Sequence, residues 1–321
     1  MKAAVVGASG AEIRELPKPI PAANEVLIRA RAASLNRADL LAVLRPSASA
    51  GGARLGLECA GEVEAVGAEV TGIKPGDRVL ASATGGFAQY VVTDAGRVHH
   101  IPANGMTDEQ AACLPVALQT MHNAIVTAGR LRPGETLLIQ GASSGVGLIG
   151  LQIGKLMGAA LVIGTSTNPR RRARLNEFGC DLALDSANAG WPQEVQSATA
   201  GKGVDVIVDM VSATVANQNL AAAAVRGRIV NVGRLGGGAG EFNFDLHAFK
   251  RIDYVGVTFR TRSLDEIREI NRLMRADLWS AVEAGRLSLP IHKTYPLSDL
   301  AEALALMRAN EHFGKIVIAI P

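Results

Sequence analysis

Hydrophobic and polar positions alternate with two different periods along the chain. Over roughly the first 100 residues, apolar side chains recur in short two-residue alternations such as "EVLIRARAASL" and "GLECAGEVEAVGAEV", punctuated by glycine. "KPGDRVLA" and "GGFAQYVV" each join a turn to a strand. One segment departs from this. In "SLNRADLLAVL", Leu35, Ala38, Leu41 and Ala42 lie near one helical face, and Ser34 or Asn36 can cap it.

Near residue 108 the texture changes. "TDEQAACLPVALQTMHNAIVTAG" reads as helix broken by Pro115. Strands and helices then alternate: "TLLIQGA", a helix over about 147–157, "ALVIGTS", a helix ending at Phe178, "DLALD", "PQEVQSATA", "VDVIVDMV", "ATVANQNLAAAA", "RIVNVG" and "YVGVTF". Such alternation predicts parallel strands with crossover helices, a doubly wound sheet. "LGGGAG" reads as a loop, and "SLDEIREINRLMRADLWSAVEAG" as a long amphipathic helix. The tail returns to short strands around the helix "LSDLAEALALMRA". The strand–helix block is therefore an insertion. A β-rich domain is expected over 1–118 and 263–321, and a nucleotide-binding domain over 119–262.

The turn in "TLLIQGASSGVGLIGLQIGKLMGA" carries chemistry. A strand precedes it and an apolar helix follows. Small residues let the backbone approach a pyrophosphate, and the helix start offers N–H groups and partial positive charge. Ala142, Ser143, Ser144, Gly145, Val146 and Gly147 are the candidate dinucleotide cradle. The bland alternative is a tight turn with no ligand. Gly141, Gly145 and Gly147 also fit the GxxxGxG of short-chain dehydrogenases. That reading fails, because the turn begins 140 residues into the chain and none of Tyr90, Tyr254 and Tyr295 starts a YxxxK pair.

Composition narrows the partners. With 33 basic against 30 acidic residues, the net charge of +3 argues against a broad nucleic-acid-binding face. Cys59, Cys113 and Cys180 lie far apart without CxxC spacing, which fits a reduced compartment. The start lacks a signal-peptide pattern and no apolar run approaches the ~20 residues that span a bilayer. A cytoplasmic protein is the expectation.

In combination, "SLNRADLL", "LGLECAGEVEAVG", "KPGDRV", "GGFAQYV", "GASSGVG" and "NEHFGKIV" resemble the medium-chain dehydrogenase/reductase superfamily, in its zinc-free quinone oxidoreductase (zeta-crystallin-like) branch. The resemblance covers essentially the whole chain. It implies an α/β fold with a GroES-like β-rich catalytic domain and a doubly wound Rossmann cofactor domain. It also implies a homodimer paired through the cofactor-domain sheet edge near "FNF" and "DYVGVTF". No catalytic metal is expected. Asn36 stands where the first zinc cysteine of metal-dependent relatives would fall, no four-cysteine cluster exists, and His99 and His100 should point to opposite strand faces. Glu58 resembles the acid near the zinc of those relatives and is expected to be a hydrogen-bonding structural residue.

The stretch "GTSTNPRRRARL" bears on the cofactor. NAD-specific relatives end the second strand with an acid that accepts from the ribose. Ser166 falls there, followed by Thr167, and both can donate to a 2′-phosphate. Asn168-Pro169 should start a helix with Arg170, Arg171 and Arg172 in its first turn. Cations there oppose the helix dipole by up to about 1 kcal/mol each. A 2′-phosphate would offset that cost. Helix residues step ~100° apart, so three arginines cannot reach one phosphate. Arg171, then Arg170, are the candidates, with Arg172 and Arg174 on a solvated face. The expected cofactor is NADPH. An ordinary basic helix surface is the alternative. Ser186 stands where many relatives carry a cofactor-contacting tyrosine.

By the same resemblance, Asn36 points toward the nicotinamide ribose and the substrate. Asp39 is either a direct contact or its structural partner, and Thr120 lies close to the nicotinamide. Gly233 passes near the cofactor through its backbone, and Asn310 returns from the C-terminal piece. Lys315 is a cleft cation, a phosphate contact or a surface residue. His122 is the weak candidate for a proton donor. Close relatives follow the NRAD helix with an arginine and a tyrosine. Val43 and Ser47 stand there instead, so an aromatic wall would have to come from Phe87, Tyr90 or Phe259. The expected activity is NADPH-dependent reduction of quinones or related activated carbonyl compounds. The alternatives are reduction of the C=C bond in enones, 2-alkenals or enoyl thioesters, and a non-catalytic NADPH-binding protein.

Overall fold

A computed structural model describes residues 1–8, 10–44 and 52–321. The chain divides into two compact units, Met1–Val116 with Ile267–Pro321, and Ala117–Glu266.

The first unit opens with an antiparallel pair, β1 (Lys2–Val6) and β2 (Ala11–Glu15). The strands β3 (Glu25–Ser34), β4 (Glu58–Val66), β5 (Arg78–Ser82), β6 (Tyr90–Asp94) and β7 (Val98–His100) follow. Helix α1 (Arg37–Leu44) leaves the end of β3, and α2 (Asp108–Ala112) starts on a capping box between Thr107 and Gln110.

The second unit begins within α3 (Pro115–His122), which runs into a π-helical turn over Asn123–Ala128. Its sheet contains β8 (Thr136–Gln140), β9 (Leu161–Thr165), β10 (Leu182–Leu184), β11 (Val204–Asp209), β12 (Ala223–Asn231) and β13 (Asp253–Gly256). All pair in parallel, in the order β10-β9-β8-β11-β12-β13. The helices are α4 (Gly145–Leu156), α5 (Pro169–Arg172), α6 (Trp191–Ala198), α7 (Ala216–Ala222) and α8 (Phe244–Lys250). The core strands β8 and β11 are apolar throughout their middles because both faces are covered, with Leu138, Ile207 and Trp191 fully buried.

The chain then returns through α9 (Leu264–Glu283), β14 (Ile291–Pro296), α10 (Leu300–Ala309) and β15 (Lys315–Ala319). β14 and β15 join the first unit's sheet, in the order β14-β15-β3-β4-β5-β7, and β6 also pairs with β3. No helix among the described residues is long and apolar enough to cross a membrane.

Two elements differ from expectation. The helix expected to end at Phe178 is a single turn, α5, followed by a 3-10 turn over Leu175–Phe178 that closes on Gly179 at φ +88°. The alanine run read as helix gives up Ala223 and Ala224 to β12, where both are buried. Sheet pairing overrides the helix preference of alanine there.

Candidate functional site

In the first unit, strand register assembles a buried polar cluster. β15 runs antiparallel to β3 with Val317 opposite Ser34, and β3 pairs with β4 with Ala33 opposite Cys59. Continuing these registers puts Glu58 beside Ser34 and Lys315 beside Asn36. Glu58 is fully buried. Its Oε1 accepts from Ser34 Oγ at 2.5 Å, Asn36 Nδ2 at 2.7 Å and Lys315 Nζ at 2.8 Å, and its Oε2 accepts from the Val116 N–H at 2.8 Å. Lys315 Nζ also donates to Asn36 Oδ1 at 3.0 Å. A buried carboxylate is tolerable when paired and hydrogen-bonded in this way. Glu58 is thus a hydrogen-bonding hub. Lys315 corrects the expectation of a surface residue, being 4% exposed and bonded to Glu58 and Asn36.

Asn36 is half-buried at the start of α1. Asp39 does not share an open face with it. Asp39 is buried, and its Oδ2 accepts from the Asn36 backbone N–H at 2.8 Å. Burial pushes its carboxyl up to about 7, against the pull of the Asn36 N–H. Of the two roles open to it, Asp39 takes the structural one. Arg37 reaches Met307 O and the Asn310 side-chain oxygen at 2.9 and 3.1 Å. Asn310 ends α10 in the left-handed region at φ +56°. The cluster around Asn36 therefore gathers Glu58, Lys315 and, through Arg37, Asn310.

Among the described residues, no three His, Cys, Asp or Glu side chains converge as metal ligands. The acid near Asn36 already faces an ammonium, which would repel a dication. Burial also pushes the neighbouring Cys59 thiol up to about 12, far from a thiolate ligand. The residues present do not fit a catalytic zinc.

In the second unit, β8 leads into the glycine-rich turn and α4. Gly141 takes φ +74°, and a Cβ on Gly147 would lie 2.6 Å from the Ala142 carbonyl oxygen. Ser144 caps the helix by accepting from the Gly147 N–H at 3.1 Å. The N–H groups of Gly145 and Val146 belong to the same first turn, which an α-helix leaves without internal partners. Ser143 Oγ lies 3.0 Å from Ser166 Oγ, so the turn is tied to the end of β9. Ala142 is buried, while Ser143, Ser144 and Val146 are half-buried. Thr167 and Arg170 are exposed and Arg171 is half-buried. Asn168 caps α5 by accepting from the Arg171 N–H at 3.0 Å.

Arg172 departs from the expected solvated face. Its Nη1 donates to Ser166 O at 2.8 Å and pairs with Asp185 at 2.9 Å. Arg174 does sit on a solvated face, paired with Glu177.

One residue row across this sheet escaped sequence reasoning. Gln140, Asp209 and Asn231 stand opposite one another at the carboxyl ends of β8, β11 and β12. Thr165 Oγ1 donates to Gln140 Oε1, Gln140 Nε2 to Asn219 Oδ1, and Asn219 Nδ2 to Asp209 Oδ2. Asp209 Oδ1 accepts from the Val211 and Ser212 N–H groups. Ser212, at φ 67° and ψ −130°, donates to Gly233 O at 2.5 Å. A Cβ on Gly233 would lie 2.6 Å from Met210 O. The row thus fixes the loops that follow β11 and β12. Polar residues ending otherwise apolar strands were the signal available in the sequence. Thr120 is half-buried on α3, and His122 is buried. Ser186 follows β10, Phe87 is buried in the first unit's core, Val43 packs against that core, and Ser47 lies outside the described residues.

Residues 22–103 match the family described as alcohol dehydrogenase GroES-like domain, and residues 145–276 match zinc-binding dehydrogenase. The chain belongs to the medium-chain dehydrogenase/reductase superfamily. Among solved structures it is similar to a Pseudomonas syringae pv. tomato quinone oxidoreductase (27% identity, TM-score 0.87, 99% of each chain) and to the CurK enoyl reductase (26%, TM-score 0.87, 100% of this chain and 99% of that one). It is also similar to mycobacterial Rv1454c complexed with NADPH (26%, TM-score 0.88, 99% of each chain). A curated relative, a phenolphthiocerol/phthiocerol polyketide synthase of Mycobacterium tuberculosis, is 30% identical over 311 residues, which is 96% of this chain and 14% of the relative. The chain thus spans about one seventh of that relative's length. The chain's second unit has the Rossmann architecture of this superfamily's cofactor domain.

Proposed function

We propose that the protein is a zinc-free, NADPH-dependent reductase whose acceptor is a C=C bond conjugated to a carbonyl, as in an enone, 2-alkenal or enoyl thioester. The observation that carries the choice of acceptor is the sequence after Asn36, where Val43 and Ser47 stand in place of the arginine and tyrosine of close relatives. On α1, Leu41 and Leu44 are 48% and 45% exposed. A flat quinone ring gains from stacking on an aromatic face. An extended acyl or alkenyl chain needs only apolar surface. The CurK enoyl reductase among the structural relatives, and the polyketide synthase, support the same direction. Quinone reduction is the second reading, favoured by the equally similar quinone oxidoreductase.

The bound nicotinamide supplies the hydride. The chain's part is to hold the dinucleotide and the acceptor in line and to exclude water. The cradle over 142–147 and the close approach at Gly233 fit a pyrophosphate and a nicotinamide carried by backbone. Ser166 stands where an acid would repel a 2′-phosphate; it is buried, with its hydroxyl tied to that of Ser143, which is half-buried. Arg171 with Arg170, in the first turn of α5 beside Ser166, is assigned to that phosphate. Among the described residues no carboxylate or histidine stands as an evident proton donor, and the proton completing reduction comes from solvent. The exposed Phe244 and Phe249 near the edge strand β13 support a homodimer paired there.

Following NADPH and NADH absorbance with a 2-alkenal, with 1,2-naphthoquinone and without acceptor tests this reading. Turnover with the quinone alone would overturn the C=C assignment. NADPH binding without turnover on either acceptor would favour a non-catalytic role. Arg171→Ala should raise the NADPH KM about tenfold and leave that for NADH nearly unchanged, since one charge-assisted contact is worth that much. Elemental analysis finding one zinc per chain would sink the zinc-free assignment.

A further inference from the structure

Arg251 and Asn310 take positive φ in the ordinary left-handed helical region, with ψ of 48° and 35°. Ser212 does not. It pairs φ 67° with ψ −130°, a conformation that type II′ turns leave to glycine. Ser212 is 7% exposed. Glycine would follow the same path without strain. What serine adds is a hydroxyl.

That hydroxyl bonds in both directions. It donates to Gly233 O at 2.5 Å and accepts from Asn231 Nδ2. The loops after β11 and β12 do not need it to stay together. Backbone bonds already join them: the Val232 and Gly233 N–H groups to Asp209 O, the Leu235 N–H to Met210 O, and the Gly236 N–H to Val211 O. What the hydroxyl fixes is the Gly233 carbonyl, and with it the plane of the peptide that follows. A buried residue held in a strained conformation for the sake of one side-chain contact is a mark of function.

Both loops lie at the carboxyl ends of parallel strands. The strand order reverses between β8 and β11, and such sheets bind ligands in the crevice at that reversal. Ser166 and Arg171, after β9, stand on the side assigned to the 2′-phosphate. The loops after β11 and β12 stand on the other side, toward the second nucleotide.

We infer, resting on the dinucleotide-dependent reading above, that Ser212 is a positioning residue whose hydroxyl, kept against backbone strain, orients the Gly233 peptide for the nicotinamide half of the dinucleotide. Every residue involved belongs to the second unit.

Two substitutions separate stability from function. Ser212→Ala loses the hydroxyl and keeps the strain. Ser212→Gly loses both, and should melt about 3 °C above Ser212→Ala. Both should weaken NADPH binding about fivefold, the worth of one neutral hydrogen bond, read by nicotinamide fluorescence without any acceptor. Adenosine 2′,5′-bisphosphate carries the 2′-phosphate end and no nicotinamide. Titration calorimetry should find its dissociation constant within about twofold of the parent's in both variants.

A bisphosphate that weakens in step with NADPH would show a merely structural role and overturn the inference. So would NADPH binding that follows the melting temperature, with Ser212→Gly like the parent and Ser212→Ala weaker. NADPH held by both variants as tightly as by the parent would overturn it as well. If the parent binds neither molecule, the dinucleotide-dependent reading itself fails, and Ser212 has nothing to position.

Discussion

Each unit takes a carboxylate wholly out of solvent among at least three hydrogen-bond donors, and the two solve the problem differently. Glu58 in the first unit is neutralised by a buried ammonium. Among the described residues, Asp209 in the second is served by neutral donors, two backbone N–H groups and the Asn219 amide. Burial pushes the Asp209 carboxyl up, and those three donors oppose it. The charged solution fixes polarity, because neither partner can exchange donor for acceptor. The neutral solution is a chain of amides and a hydroxyl that can be re-oriented. The first fixes the Asn36 amide in one orientation between Lys315 and Glu58. The second suits a sheet edge that needs only to hold loops in place.

Breaking the charged solution should have the larger effect. Lys315→Met leaves Glu58 buried without its cation and should lower unfolding stability by about 3–5 kcal/mol, read by chemical denaturation. Replacing both members, as in Glu58→Gln with Lys315→Met, should recover a large part of that loss. If Lys315→Met costs less than about 1 kcal/mol, the pair is not buried as described.

A neutral site within the first unit gives an intermediate effect that depends on pH. His99 is 3% exposed, its Nε2 lies 3.1 Å from Asn271 Oδ1, and its Nδ1 has no partner. Its ring packs on Trp279 at 4.9 Å. Burial pushes it down to about 4, and the nearby charges of Arg275 and His100 act in the same direction. The unfolded chain takes up this proton near the ordinary histidine value, and the folded chain does not until about pH 4. This group's contribution is therefore fully present above about pH 6.5 and is lost as pH falls toward 4. The total is of the order of 3 kcal/mol. His99→Gln should flatten the fall in stability between pH 7 and 5. An unchanged slope would mean that the ring is protonated when folded.

The fold was readable because period-two and strand–helix patterns are local. The glycine-rich turn was readable because its small residues are contiguous. The Glu58–Lys315 pair was not, since "LGLECAG" and "GKIV" meet only through two strand registers far apart in sequence. Lys315 could be recognised as a cation near the site, but not as a buried one. Arg172 was placed in solvent because helix geometry says nothing about Asp185, which arrives at the end of the next strand, β10. Asp39 offered its spacing to Asn36, yet spacing alone does not distinguish a shared open face from a cap. In each case a contact between distant segments decided the role.

The smallest expected effect separates the two buried carboxylates most clearly. Asp209→Asn keeps an oxygen for the Val211 and Ser212 N–H groups but turns an NH2 toward Asn219. Asn219 can answer by rotating its amide, and Gln140 by rotating its own. The bond to Thr165 then runs from Gln140 Nε2 to the hydroxyl oxygen. Thr165 Oγ1 already accepts from the Gly141 N–H at 3.1 Å and has a second lone pair to give. Only the Thr165 hydroxyl hydrogen is left over, a net loss of about 1 kcal/mol. Thr165→Val removes that hydrogen, and the Gly141 partner with it. In the Asp209→Asn background it should therefore cost less than it does alone. Denaturation curves for the two single variants and the double variant measure this. Strict additivity would mean that the amides do not turn and that the row is as fixed in polarity as the charged pair.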